Sequence, residues 1–106
     1  MIKKLKDISR YARFLYSQKL INQVAQLLKE ERVKQNLSHE KIADIAAVHR
    51  TAVGHIENGT RKPSLFVFIK LARALNMKPS ELLRRAEEKL SSDSRAVEEC
   101  AQPETL

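Results

Sequence analysis

The sequence predicts an all-α fold that contains a helix-turn-helix. Only two glycines and three prolines interrupt 106 residues, and Leu, Ala, Lys, Glu and Arg, which favour helices, are abundant. In the stretch 38–58, apolar residues follow a period of 3.6 in two short sets separated by residues 47–49. Ser38 is a favourable N-cap before the first set, and Asn58 followed by Gly59 is a favourable stop after the second. Two short helices joined by so tight a turn form a helix-turn-helix.

This stretch and its surroundings resemble the Cro/CI (XRE) family of phage and bacterial repressors. The similarity runs from about residue 21 to residue 85, through the segments EERVKQNLS, IADIAAV, HRTAVGHIENGTRKPSL, IKLARALNM and PSELL. The resemblance implies a lambda-repressor-like domain of five helices. Two positions depart from the family pattern. Ala47 stands where the turn usually has glycine, and His49 stands where the second helix usually has a Ser or Thr cap.

Charge and periodicity divide the chain into three segments. Residues 1–20 form an amphipathic helical extension, residues 21–90 form the DNA-binding domain, and residues 91–106 form an acidic, flexible tail. The extension carries six basic and one acidic side chain, whereas residues 87–106 carry two and six. A basic body suits a polyanionic partner such as DNA. For the extension itself, a packing or dimer-forming helix, a basic arm on DNA and a membrane-surface helix remain open.

Apolar residues at helical spacing predict the remaining helices and their buried faces. A helix over 21–35 buries the following apolar side chains: Val24, Leu27, Leu28 and Val33. A helix over 64–75, capped by a serine, buries a second set: Leu65, Phe68, Ile69, Leu71, Ala72 and Leu75. A last helix over 79–90 starts with a proline and is anchored by two leucines, Leu82 and Leu83.

Two large apolar side chains, Phe66 and Val67, lie outside the predicted buried face of helix 64–75. Exposed apolar groups of this size usually contact a partner surface. We expect the N-terminal helix or a second subunit to cover them, and simple exposure is the alternative. The resemblance implies a two-fold dimer near the last helix, which contains Leu82. Phe66, Val67 and Leu82 are therefore the predicted dimer or helix-packing residues.

The second helix of the motif has two chemically different sides. Its apolar residues lie inward, and the opposite arc is occupied by four residues: Arg50, Thr51, Gly54 and His55. A DNA major groove admits one helix, so this arc is predicted to face base edges. Arg50 suits guanine O6 and N7, Thr51 suits a base or a thymine methyl, and His55 reaches further along the groove. Gly54 has no side chain to clash with DNA, which indicates close approach.

Phosphate contacts are predicted at both ends of the motif. Its first helix begins with free backbone N–H groups and His39, and the loop after its second helix adds four polar or basic residues: Asn58, Thr60, Arg61 and Lys62. In the family that the chain resembles, an arginine at the position of Arg32 commonly pairs with the glutamate of the ENG segment, Glu57. The resemblance therefore implies a structural ion pair, and a phosphate contact by Arg32 is the alternative.

No catalytic, metal or cofactor site is predicted. The sequence has no glycine-rich phosphate loop, no paired-carboxylate cleft and no nucleophile with an evident base, so an enzyme is not expected. The histidines at 39, 49 and 55 are not three or four residues apart, and the single Cys100 lies in the tail, so zinc is not expected. One cysteine favours a reducing cytoplasm. The longest apolar run, LFVFI, is too short to cross a membrane, and the start does not resemble a signal peptide.

The predicted function is that of a sequence-specific, cytoplasmic transcriptional regulator, most simply a repressor. It would bind a pseudo-palindromic operator in double-stranded DNA as a homodimer, without a cofactor. One alternative is an antitoxin, in which the N-terminal helix or the acidic tail neutralises a toxin while the central domain represses its own operon. Another is a restriction-modification controller protein, a class that resembles this chain in length and in the His-Arg-Thr start of the second motif helix.

Overall fold

The computed structural model describes residues 2–93, and the side chains of residues 10–92, as five helices. These are α1 (Ile2–Lys34), α2 (His39–Ala46), α3 (Arg50–Glu57), α4 (Leu65–Ala74) and α5 (Pro79–Asp93). Within this part of the chain, the predicted all-α class is confirmed, and α2 and α3 form the predicted helix-turn-helix. No helix among the described residues is long and apolar enough to span a membrane.

The N-terminal extension and the first domain helix form one continuous helix rather than the two that the sequence predicts. Neither glycine nor proline occurs between residues 2 and 34, so neither of the two strongest helix breakers interrupts the helix near position 20. α1 packs against α5. In the extension, Ala12 is buried and Leu15 is half-buried. The side chains of the first nine residues lie outside the described part.

The predicted helix caps are confirmed. The Ser38 hydroxyl accepts a hydrogen bond from the Lys41 N–H at 3.0 Å, and the Ser64 hydroxyl accepts one from the Val67 N–H at 3.1 Å. Each serine satisfies a backbone donor that the first turn of its helix leaves free. His49 precedes α3 without a side-chain cap, as its residue type predicts.

Ala47 ends α2 in the left-handed conformation, with φ 59° and ψ 49°. Its N–H donates to Asp44 O and the next N–H donates to Ala43 O, which is the pattern of a Schellman motif. Asn36 and Asn76 occupy similar positions after α1 and α4, with φ 59° and 62°. Asparagine tolerates this region, but alanine gains no local hydrogen bond there and its Cβ meets the following carbonyl. The family departure at Ala47 therefore lies at a strained position.

Replacing Ala47 by glycine is expected to raise the free energy of unfolding by about 0.5–1 kcal/mol. Removing the Cβ relieves about 1–2 kcal/mol of left-handed strain, and the greater entropy of glycine in the unfolded chain offsets part of this gain. Urea denaturation measures the change. The matched control is Ala52→Gly in α3, where φ is not positive, and there the same substitution should destabilise by about 1 kcal/mol. A loss of stability in both variants would contradict the strain at Ala47.

The core lies where all five helices meet. Its fully buried large side chains are Val24, Ile42, Val53, Leu71, Leu75 and Leu82. Several apolar side chains predicted to face inward are instead exposed: Val33, Leu65, Ile69 and Leu83. Ile45 of α2 is exposed as well. In α1 the inward position one turn after Leu28 belongs to Arg32, so Val33 is turned outward. In α4 the buried positions start at Phe68 and recur every three or four residues. Leu65 lies before the first of them, and Ile69 lies beside the buried face.

α5 continues to Asp93, three residues beyond the predicted end. Its exposed surface carries ion pairs from Arg84 to Glu81 and Glu88. Hydrogen bonds from the Arg84 and Arg85 side chains lower the pKa of the Glu81 carboxyl, and Glu81 raises the pKa of Arg84. The remainder of the predicted acidic tail, including Cys100, lies outside the described residues.

Candidate nucleic-acid interface

α3 presents a polar edge to solvent because its apolar edge is buried. Val53 and Ile56 are each 2% exposed and belong to the core cluster with residues of α2 and α4. The outward arc predicted from the sequence contains three exposed side chains, Arg50, Thr51 and His55, and the half-buried Gly54. The structure therefore brings the four predicted base-contacting residues onto one accessible edge of one helix.

A largely buried ion pair links the C-terminal end of α3 to α1. Arg32 Nε donates to Glu57 Oε2 at 2.7 Å, and Arg32 Nη2 donates to Glu57 Oε1 at 3.1 Å. The side chains are only 12% and 6% exposed. The third guanidinium nitrogen of Arg32 donates to Leu37 O at 2.7 Å, which also ties in the loop before α2. A bidentate pair of this kind restricts the orientation of α3.

His39 also contacts the Arg32–Glu57 ion pair, and the sequence does not predict this contact. Its Nε2 lies 3.0 Å from Glu57 Oε1, so the carboxylate links the first turn of α2 to α3 as well as to α1. The imidazole remains 41% exposed. Because Nε2 faces Glu57, Nδ1 is the ring nitrogen left for the predicted phosphate contact. Neither periodicity nor a motif links residues 18 positions apart, so only the tertiary structure shows this contact.

The loop after α3 is held by its own side chains. Asn58 Oδ1 accepts hydrogen bonds from the Thr60 N–H at 3.1 Å and the Thr60 hydroxyl at 2.8 Å. Gly59 has φ 85°, a left-handed value that glycine adopts without strain, as the predicted stop after α3 requires. Among the described ion pairs and hydrogen bonds, none occupies the exposed Arg61 or Lys62 side chain. These two cations are free to contact phosphate.

A sequence model of the helix-turn-helix family matches residues 28–82, just over half of the chain. The matched range contains α2, α3, α4 and the ends of α1 and α5 that pack around them. The chain belongs to the helix-turn-helix family. The resemblance to Cro/CI-type regulators seen in the sequence is thus confirmed.

Two curated relatives of this helix-turn-helix protein are named control proteins. C.SmaI of Serratia marcescens and C.BamHI of Bacillus amyloliquefaciens are each 44% identical over 50 residues, which is 47% of this chain. The match spans 60% of C.SmaI and 62% of C.BamHI, less than two thirds of either relative. An uncharacterized HTH-type transcriptional regulator of Archaeoglobus fulgidus is 35% identical over 63 residues, 59% of this chain and 89% of that protein.

A solved structure has the same helix-turn-helix fold. The crystal structure of the restriction-modification controller protein C.AhdI from Aeromonas hydrophila matches with a TM-score of 0.55 and 40% sequence identity. The match covers 59% of this chain and 94% of C.AhdI. The predicted fold of the domain therefore agrees with that of a solved structure.

The three residues predicted to mediate dimer or helix packing differ in exposure. Leu82 is fully buried and packs in the core of the helix-turn-helix domain, and Val67 packs against that core from its edge. Phe66 is 69% exposed, so the described part of the extension does not cover it. The Lys70 ammonium lies 4.6 Å from the centre of the Phe66 ring, a cation–π contact. Of the three, Phe66 alone offers a large exposed apolar group.

Within the described residues, no group of three or more His, Cys, Asp or Glu side chains is arranged to hold a metal ion. His39, His49 and His55 lie on different parts of the helix-turn-helix. His39 faces Glu57, and His55 faces Thr60. One ring nitrogen of His39 and one of His55 therefore each face an oxygen atom of the protein.

Replacing Gly54 by alanine is expected to separate stability from DNA binding. A Cβ at Gly54 would lie 3.9 Å from the His39 ring, which is ordinary van der Waals contact, so the folded protein has room for it. The helix should gain about 0.5–1 kcal/mol of stability. If DNA approaches α3 closely here, specific affinity should fall by about 1–3 kcal/mol, as for a mismatched site. Thermal denaturation and fluorescence anisotropy measure the two changes, and an unchanged affinity would contradict close approach.

Proposed function

We propose that the protein is a sequence-specific DNA-binding transcriptional regulator that inserts α3 into the major groove. The observation that carries the proposal is the exposed edge of Arg50, Thr51, Gly54 and His55 on a helix whose other edge is fully buried. A protruding polar helix edge of this size suits a groove about 12 Å wide. The names of the relatives as control or regulator proteins support the same function.

Three residues on the exposed edge of α3 contact bases, and the fourth allows the helix to approach the DNA closely. Arg50, at the first position of α3, donates two hydrogen bonds to guanine O6 and N7. Thr51 contacts a neighbouring base through its hydroxyl or methyl group. His55 lies one helical turn further along and contacts a third base. Gly54 lets the backbone of α3 approach the groove wall. No step of this function requires a cofactor or a catalytic group.

Phosphate contacts fix the register of α3 on the duplex. Arg61 and Lys62 lie in the loop directly after α3 and bind one phosphate strand. Asn58 and Thr60 shape this loop through their mutual hydrogen bonds and offer further polar contacts. At the other end of the motif, the N-terminus of α2 and His39 Nδ1 approach the opposite strand. The net charge of +7 adds affinity that does not depend on sequence.

The regulator binds a pseudo-palindromic operator as a homodimer in this proposal. Two copies related by a two-fold axis place their α3 helices in successive major grooves, about 34–36 Å apart. Exposed Phe66 suits burial at a contact between copies, because a large exposed aromatic side chain gains from leaving water. A DNA-binding regulator of this kind acts in the cytoplasm.

Among types of regulator, we favour a restriction-modification controller. Two curated relatives at 44% identity are control proteins, and the matched solved structure is a restriction-modification controller protein. The antitoxin alternative predicts a small basic partner that co-purifies with the chain. The controller function predicts instead that the purified protein carries no such partner and binds DNA upstream of restriction and modification genes.

Selection of bound duplexes from a random pool tests the proposed function. We expect the purified protein to enrich one sequence with two similar half-sites about one helical turn apart. The affinity should fall steeply with salt as phosphates are neutralised by lysine and arginine. No binding to any duplex at low ionic strength would refute the function. Binding without an enriched sequence would refute sequence specificity while leaving a basic DNA-binding surface.

A further inference from the structure

We propose that Thr60 holds the imidazole of His55 in the Nδ1–H tautomer, so that α3 offers an Nε2 lone pair to a base bearing an exocyclic amino group. The inference rests on the proposed DNA-binding function and names a specificity rule for one position of its site. It follows from the hydrogen bonds that the Thr60 hydroxyl group, in the loop after α3, can donate and accept.

The hydroxyl proton of Thr60 is directed away from the imidazole of His55. The Thr60 backbone N–H is shared between Asn58 Oδ1, at 3.1 Å, and the His55 carbonyl oxygen, at 3.0 Å, and this donor favours the Asn58 amide with its oxygen toward the loop. Thr60 Oγ1 lies 2.8 Å from this same oxygen and 3.2 Å from the backbone oxygen of His55. Neither oxygen has a proton to give. The single hydroxyl proton therefore points to Asn58 Oδ1 or is shared with the His55 carbonyl.

The contact between His55 and Thr60 consequently needs a proton on the ring. His55 Nδ1 lies 3.2 Å from Thr60 Oγ1. With the hydroxyl proton engaged elsewhere, Oγ1 presents a lone pair to Nδ1, and a hydrogen bond forms only when Nδ1 carries hydrogen. The other tautomer would place two lone pairs against each other. In the neutral ring, Nε2 is then an acceptor.

The Nε2 acceptor of His55, near the end of α3, favours bases that present a hydrogen-bond donor. His55 is exposed on the edge that faces the groove. In the major groove, cytosine N4 and adenine N6 are donors, whereas guanine and thymine present acceptors. The neutral His55 ring therefore favours cytosine or adenine at its position. Arg50, which only donates, favours guanine, so the two ends of α3 select bases of opposite polarity.

The tautomer can be measured in the free protein, independently of DNA. Long-range ¹H–¹⁵N correlation spectra of the neutral imidazole should show the proton of His55 at Nδ1. Thr60→Val removes the accepting hydroxyl at nearly constant volume and should shift His55 toward the Nε2–H form. Thr60→Ser keeps the hydroxyl and should preserve Nδ1–H. An Nε2–H ring in the wild type, or the same tautomer in the valine and wild-type proteins, would overturn the proposal.

The consequence for DNA is tested by duplex selection with the same three proteins. At one position, the wild type and Thr60→Ser should bind duplexes with cytosine or adenine about three- to tenfold more tightly than duplexes with guanine or thymine. This ratio is the contribution of one hydrogen bond. Thr60→Val should lose this discrimination and accept guanine or thymine there. An unchanged preference in the valine variant overturns the role of Thr60. A wild-type protein that binds no duplex refutes the proposed function itself. The spectra of the free protein still show in that case whether Thr60 sets the tautomer of His55.

Discussion

Replacing Glu57 by glutamine is expected to lower the free energy of unfolding by about 3–5 kcal/mol. The substitution removes the charge that compensates the Arg32 guanidinium, which is only 12% exposed and, among the described residues, pairs with no other carboxylate. It also weakens the contact that links His39 to α3. The midpoint of urea denaturation measures the loss, and an unchanged slope of the transition shows that the unfolded state is unaffected.

The matched control is Glu88→Gln in α5. Glu88 also pairs with an arginine, Arg84, but both side chains are more than half exposed. Solvent screens such a pair, so the same chemical change should cost less than about 1 kcal/mol. Equal losses in the two variants would show that the Arg32–Glu57 pair is an ordinary surface contact. Replacing Arg32 and Glu57 together by apolar residues should cost less than the sum of the single losses, because neither charge is left alone.

The elements of the helix-turn-helix follow from local chemistry that a sequence displays. Ser38 and Ser64 were recognisable as caps because a serine hydroxyl satisfies an N–H two or three residues later, within one turn. The end of α3 at Asn58 and Gly59 depends on a single left-handed residue. Such signals need no tertiary structure, and they positioned α3 and hence the four residues of its outer edge correctly in the chain.

Contacts between distant residues carry no such signal. Glu57 accepts from Arg32 and His39 together, which requires α1, α2 and α3 to meet at one point. The family resemblance implied the first partner, and nothing in spacing or composition indicated the second. Likewise, periodicity identified which face of α4 is apolar, but the extent of the core decided that Leu65 remains exposed. How far the buried face extends along a helix depends on which other helices pack against it.

Replacing Arg50 by alanine is expected to lower the affinity for the selected operator by about 1–3 kcal/mol and to relax the preference at one base pair. Arg50 lies at the exposed start of α3, where side chains reach base edges most easily, and a bidentate contact to guanine accounts for this magnitude. Because the side chain is exposed and makes no ion pair among the described residues, stability should change by no more than about 0.5 kcal/mol. Anisotropy titrations on the operator and on single-base variants measure the effect.

Lys62→Ala is the control that separates base recognition from phosphate binding. Lys62 is also an exposed cation, but it lies in the loop after α3 rather than on the helix edge. Its removal should weaken binding to all sequences by a similar factor and reduce the magnitude of the salt slope by about 1. The loss caused by Arg50→Ala should instead largely vanish on a duplex that already lacks the preferred base pair. An equal loss on operator and random duplex for Arg50→Ala would place Arg50 on a phosphate and leave base recognition to the remaining residues of α3.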